Sequence, residues 1–113
     1  MPEQIRANFM KVQAAPSFSG ERFWLTAYLS GPTERLARLA DELATHGWTN
    51  VGDWEGGFIY PKLEVSMSAD DAVEAALNVH RLALENGAEV LNVDADTNPD
   101  VGRSEFIALY QSP

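Results

Sequence analysis

The order of the predicted secondary-structure elements between Arg22 and Asp94 constrains the fold of this chain more than any other feature. Residues 22–30 alternate between two faces, and this period of two predicts a strand. One of the faces carries Phe23, Leu25, Ala27 and Leu29. Leucine and alanine then recur at helical spacing in 33–46, and Gly47 follows as a typical terminating glycine, which predicts an amphipathic helix.

The central part of the pattern predicts a hairpin. Residues 48–54 and 58–67 have the composition of two strands, and the segment 55–57 between them ends in two glycines. Glycine permits the positive φ angles that a tight hairpin turn requires. Pro61 lacks a backbone N–H, so we expect a bulge or an interrupted pairing within the second of these strands.

A second helix and two further strands complete the pattern. Ser68 is placed as the N-cap of this helix, with Asp71 in the position of a capping box, and Gly87 ends it. The segments 88–94 and 103–110 predict a fourth and a fifth strand, separated by a polar loop.

The order strand, helix, strand, strand, helix, strand is the split βαβ, or ferredoxin-like, pattern. We therefore predict an α+β fold, a βαββαβ two-layer sandwich with both helices on one face of an antiparallel sheet and an extra C-terminal strand. Residues 1–20 are expected to form an N-terminal tail or docking segment, and 21–113 a single ferredoxin-like domain. Because this fold hosts many unrelated functions, it does not name one by itself.

Composition narrows the functional classes. Cysteine is absent, which excludes disulfides and cysteine nucleophiles. The formal net charge is −9 and the basic residues are scattered, which argues against direct binding of nucleic acid. An acidic chain of this size either is simply soluble, which is the commoner case, or docks on a basic partner. No apolar run is long enough to span a bilayer, and residues 1–15 lack a signal-peptide pattern, so we expect a cytoplasmic protein without a membrane partner.

The face of the sheet opposite the helices is predicted to be aromatic. It would carry Trp24, Tyr28, Phe58, Tyr60 and Val90, with Trp54 nearby on the hairpin. Exposed apolar patches of this kind mark interaction sites, so the aromatic residues are the candidate partner-binding residues. The sequence leaves three alternatives for what buries this face: the chain's own termini, a second copy in a homodimer, or a ligand.

An acidic segment between the last two predicted strands has oxygen-bearing side chains at positions one, three, five and twelve of a calcium-binding loop. These residues are Asp94, Asp96, Asn98 and Glu105. Pro99, however, stands where such a loop requires a glycine with positive φ. We therefore predict an acidic turn, with no metal and no other cofactor, and keep a calcium-modulated module as the third functional alternative.

His80 is predicted to lie on the apolar face of the second helix, together with Val73, Leu77 and Leu84. A buried imidazole requires a hydrogen-bond partner, and we expect His80 to be structural. The alternative is a dimeric α+β barrel that binds a small molecule, or acts as an enzyme, in a cavity near His80.

The stretch from Phe23 to Asp94 resembles the RraB-type family of bacterial regulators of ribonuclease E. The similarity lies in the aromatic first strand 23–28, the helix exit Gly47-Trp48, the helix start 68–71 and the segment 83–90. The resemblance implies an acidic cytoplasmic protein that binds and inhibits an endoribonuclease. Together with the aromatic face, it leads us to expect a small regulatory protein that acts by protein–protein binding and is not an enzyme.

Overall fold

The computed structural model of the chain describes residues 1–49, 52–53, 56–98 and 105–113. These residues form three α-helices and a set of strands that belong to one sheet. In chain order the elements are α1 (Pro2–Ala14), a 3-10 turn (Pro16–Phe18), β1 (Arg22–Ser30), α2 (Thr33–Thr45), β2 (Gly52–Asp53), β3 (Phe58–Ile59), β4 (Lys62–Ser66), α3 (Ala69–Glu85), β5 (Glu89–Asp96) and β6 (Phe106–Gln111). The predicted α+β class is confirmed.

The strands form an open antiparallel sheet in the order β2-β3-β1-β5-β6, with β4 also paired to β1. β1 is therefore central, and the C-terminal strand β6 is added beside β5. The predicted second strand, 48–54, is shorter than expected within the described residues: it consists of β2 and a single bridge between Thr49 and Lys62. β6 begins at Phe106 rather than at residue 103.

Pro61 interrupts the pairing to β1 as predicted. β3 and β4 lie on either side of it, and the pairs Leu29–Ile59 and Thr26–Lys62 keep one continuous register across the gap. The N–H of Ala27 donates to the Pro61 carbonyl at 3.0 Å. Proline has no N–H to return this bond, so the ladder is broken without a bulge.

The helix boundaries follow local chemistry. The Ser68 hydroxyl caps α3 by accepting from the Asp71 N–H at 3.3 Å. Gly47 and Gly87, which follow α2 and α3, have φ angles of +89° and +67°, and glycine adopts this conformation at little cost. Both terminating glycines of the sequence prediction are thus confirmed.

The N-terminal segment is a docked helix rather than a free tail. Ile5, Phe9 and Val12 of α1 are fully buried or nearly so, and the Phe9 ring lies 5.8 Å from that of Phe23 in β1. The amides of Gln4 and Asn8, one helical turn apart, bind backbone groups of β6. Asn8 donates to a carbonyl of that strand at 3.1 Å, and Gln4 accepts from an N–H at 2.7 Å. α1 therefore covers backbone groups at the edge of the sheet, which would otherwise be open to another strand.

Among the described residues, no helix has both the length and the apolar character needed to cross a membrane. The buried side chains instead form one core, to which α1, α2, α3 and the strands all contribute. On β1 the contributing residues are Phe23, Leu25, Ala27 and Leu29, and we call the side of the sheet that carries them the first face.

Candidate binding face

The second face of the sheet is the side opposite this core. Alternation along β1 places Trp24, Thr26 and Tyr28 there, and the pairing registers add their neighbours on the adjoining strands. These neighbours are Phe58, Tyr60, Lys62, Glu64, Asn92, Asp94, Asp96 and Phe106.

The aromatic side chains predicted to share a face do share it. The rings of Tyr28 and Tyr60 lie 5.3 Å apart at an angle of 56°, an ordinary tilted contact. Trp24, Tyr28 and Tyr60 are half-buried, whereas Phe58 is 43% exposed. Phe106, which the sequence interpretation missed, is 65% exposed and faces the same side through its pairing with Asp96.

One member of the predicted aromatic face, Val90, is not part of the observed one. Val90 was wrongly placed: it pairs with Leu29 and is buried in the core, because β5 shifts register between the pairs at Tyr28 and Leu29. Strict alternation cannot foresee such a shift. Trp54 lies outside the described residues.

The centre of the second face is polar and buried. Thr26, Lys62, Asp94 and Asp96 are each no more than 6% exposed. The Lys62 ammonium donates to Thr26 Oγ1 at 2.8 Å and lies 3.7 Å from Asp96 Oδ2, and the Thr26 hydroxyl donates to that same carboxylate oxygen. Buried charges are tolerated only when they are paired and hydrogen-bonded, and Thr26 bridges the two ions here.

Asp94 lies beside this ion pair and accepts a hydrogen bond from a neutral donor. Asn92 Nδ2 donates to Asp94 Oδ1 at 3.3 Å. The strand register pairs Tyr28 with Asn92 and so places Tyr28 diagonally across from Asp94. Burial raises the pKa of Asp94 above its usual value, and the charge of Asp96 raises it further, although Asn92, Lys62 and Tyr28 oppose the shift. Burial and the two nearby carboxylates also raise the pKa of the Tyr28 hydroxyl.

The predicted acidic loop is divided by the structure. The fourth strand was predicted to end at Asp94, but β5 continues to Asp96, so both carboxylates belong to a strand and point to the second face. Asn98 and Glu105 lie beyond the strand, and residues 99–104 between them lie outside the described residues. In the described part of the chain, no three His, Asp or Glu side chains are grouped to hold a metal ion.

The apolar stripe of α3 was also assigned incorrectly. Leu77 and Leu84 are 41% and 60% exposed, whereas small residues form most of the buried side of the helix. The buried residues are Ala72, Val73, Ala76, Val79, Leu82 and Ala83. His80 lies at the margin of this side and is half-buried, and its Nδ1 atom is buried without a hydrogen-bond partner among the described residues.

A groove of about 490 Å³ lies between α2, β4 and α3. Its walls include His46, Leu63, Asp71 and Glu74, but not His80. The side chains that converge there come from the end of α2, from α3 and from the first face of β4. This groove is therefore separate from the second face.

Besides Phe106, sequence analysis did not assign Thr26 and Lys62 to this site. The sequence did contain a signal for Lys62. Tyr60, Lys62 and Glu64 are alternate residues, and alternate residues of a strand lie on the same face, so Lys62 is on the aromatic side. The same alternation joins Asn92, Asp94 and Asp96 once the strand is extended. What no local pattern supplies is the pairing of Lys62 with Asp96 across β1, because that contact depends on strand order.

No protein-family model matches the chain, and neither the curated proteins nor the solved structures provide a significant match. The resemblance to the RraB-type regulators therefore stays a prediction.

Proposed function

We propose that this chain is a small acidic regulatory protein that acts by binding a protein partner through the second face. The observation that carries the proposal is the set of aromatic side chains on a face that the core does not use. These side chains are Trp24, Tyr28, Phe58, Tyr60 and Phe106. Tryptophan and tyrosine are enriched among the residues that contribute most to binding at protein interfaces, and exposed large apolar side chains that share a face mark interaction sites.

Charge supports a basic partner. The chain has a formal net charge of −9, and Asp94 and Asp96 oppose the ammonium of Lys62 at the centre of the face. Such a surface attracts a positively charged partner and increases the rate of association at low salt. A second copy of the same chain would bring like charges together, so the homodimer is the weaker choice.

The ferredoxin-like arrangement is part of this proposal. The order of the strands around β1, and a core shared by all the helices with the first face, support a two-layer sandwich with every helix on one side. In that arrangement the second face has no layer of its own to cover it.

The resemblance described above suggests the partner class, an endoribonuclease in the cytoplasm. Under this proposal the chain has no chemistry of its own and needs no cofactor. Its effect on the partner would be inhibition. A binding protein lowers the activity of its partner when it binds the inactive state of the partner more tightly than the active state.

The test is affinity capture with matched baits, followed by reconstitution with the purified protein that is captured. One bait carries Trp24→Ala with Tyr60→Ala on the second face, and the control bait carries Leu77→Ala with Leu84→Ala on the exposed side of α3. We expect the wild type and the control to retain the same partner and the Trp24/Tyr60 bait to lose it. Equal retention by all three folded baits would contradict the proposal.

A second candidate function rests on His80. Its Nδ1 atom is buried without a partner among the described residues, and an unsatisfied buried nitrogen is a recognised sign of a ligand or catalytic site. The candidate is a small-molecule site in the helix layer, as in a dimeric α+β barrel. His80→Asn keeps a polar side-chain atom near the position of Nδ1, so loss of ligand binding in His80→Ala with partial rescue in His80→Asn would favour it.

A further inference from the structure

We propose that the second face recognises an arginine side chain of its partner, with the guanidinium stacked on Tyr28 and Tyr60 and directed at the Asp94 carboxylate. This inference rests on the proposed function and names the chemistry that the partner must present.

The first argument is the charge balance at the centre of the face. Among the residues that the structure describes, Lys62 is the cation that lies beside the carboxylates of Asp94 and Asp96, and its contacts are with Thr26 and Asp96. Asp94 accepts a hydrogen bond from the neutral amide of Asn92. A buried carboxylate held by a neutral donor gains from a cation, because charge-assisted hydrogen bonds are the strong ones.

The second argument is the position of the rings. The Tyr28 ring contacts Tyr60, and the strand register places Tyr28 diagonally across from Asp94 on the same face, so an aromatic surface and a carboxylate are neighbours. A guanidinium is planar and stacks on aromatic rings while it donates to a carboxylate at its edge. This geometry favours arginine over the compact ammonium of lysine.

The third argument is accessibility. Asp94 is only 6% exposed, whereas Phe58 and Phe106 at the margin of the face are 43% and 65% exposed. A flat protein surface would contact these marginal rings without reaching the carboxylate. The low exposure of Asp94 favours a long side chain with a thin, flat head group over a flat surface.

The competing occupants fit less well. A second copy of the chain would place further carboxylates against Asp94 and Asp96, which like-charge repulsion disfavours. A metal ion lacks ligands, because no suitable group of His, Asp or Glu occurs among the described residues. The arginine of a basic partner supplies the charge that the centre of the face lacks.

The experiment is a nuclear magnetic resonance titration of the whole chain with two blocked tripeptides, Gly-Arg-Gly and Gly-citrulline-Gly. Citrulline has nearly the shape of arginine without its charge. We expect the arginine peptide to shift the resonances of Tyr28 and Asp94 and the citrulline peptide to bind about tenfold more weakly, the loss typical of a hydrogen bond to a charged group.

Asp94→Asn should lower the affinity for the arginine peptide by about tenfold for the same reason. Its control, Asp41→Asn, makes the same change of net charge at an exposed site on α2 and should leave the affinity unchanged. Tyr28→Leu removes the ring while it keeps Asp94, and we expect it to weaken binding as well. Melting curves establish that each variant is folded.

The inference is overturned if citrulline binds as tightly as arginine, or if Asp41→Asn weakens binding as much as Asp94→Asn. It is also overturned if sedimentation shows a dimer that dissociates in Trp24→Ala, since a second copy would then occupy the face. If Asp94→Asn captures the natural partner normally while the Trp24/Tyr60 bait loses it, the arginine site is wrong and the proposed function stands. If both baits capture it normally, the proposed function fails too.

Discussion

The two faces of β1 are made by alternate residues of one strand, yet their side chains have different surroundings. On the first face, Phe23, Leu25, Ala27 and Leu29 are buried in an apolar core. On the second face, Thr26 is buried among charged groups while Trp24 and Tyr28 are only half-buried. Folding accounts for the first arrangement, because apolar area leaves water. It does not account for charges at the centre and aromatic rings at the margin, which is why we assign the function to the second face.

The largest effect on stability is expected from removal of the Lys62 charge at the centre of the second face. Lys62→Met leaves the Asp96 carboxylate buried without its ammonium, and breaking a buried ion pair on one side costs about 3–5 kcal/mol. Chemical denaturation measures the loss in the free energy of unfolding. A change below about 1 kcal/mol, the range of exposed ion pairs, would show that the pair is solvated and that the centre is not buried in solution.

A comparable effect is expected on the side of the core. Ile5→Ala in α1 should lower the free energy of unfolding by about 2–5 kcal/mol, the range for aliphatic core residues. Met10→Ala, on the same helix but 70% exposed, is the control and should change it by no more than about 0.5 kcal/mol. If the two variants are equally stable, α1 is a loosely attached tail and the edge of β6 is open.

A smaller effect is expected from pH. Because the pKa of Asp94 is raised in the folded state, the protein binds this proton more tightly when folded, and the resulting stability is complete below the ordinary carboxylate pKa of 3.8. That contribution is lost as the pH rises through the raised value. In Asp94→Asn, the free energy of unfolding should therefore fall less steeply as the pH rises from the ordinary to the raised pKa of Asp94. Melting curves at a series of pH values measure it, and an unchanged slope would contradict the assignment.

The smallest effect on stability is expected at the margin of the second face. Phe106→Ala should alter the free energy of unfolding by no more than about 0.5 kcal/mol, because the ring is 65% exposed. The same substitution should weaken binding of the partner, as expected for an interface aromatic. A stable variant with full affinity would remove Phe106 from the binding surface and narrow that surface to Trp24, Tyr28 and Tyr60.

Much of the architecture was predictable because its signals are local. The alternation of β1, the turn glycines Gly47 and Gly87, the Ser68 cap and the break at Pro61 each follow from a few neighbouring residues. The helical face of α3 was not predicted correctly, because alanines there are buried while Leu77 and Leu84 are exposed. Hydrophobic size favours the leucines, but close packing on a sheet favours small side chains.

The candidate site was only half predictable for a related reason. Parity along each strand was enough to bring together Trp24, Tyr28, Phe58 and Tyr60. The end of β5 was missed because closely spaced aspartates, here Asp94 and Asp96, are typical of a loop and not of a strand. The burial of Asp96 is compensated by Lys62 and Thr26, which reach it from other strands. Contacts of this range are set by strand order, not by local sequence.

Hydroxyl-radical footprinting of the chain, alone and with its captured partner, tests the assignment of the second face most directly. Oxidation reports the exposure of side chains, and Phe58, Phe106 and Met10 are all exposed in the free chain. We predict that binding protects Phe58 and Phe106 while Met10, on the outer side of α1, stays as reactive as before. Protection of Met10 with undiminished oxidation of Phe58 and Phe106 would contradict the assignment and move the binding surface to the helix layer.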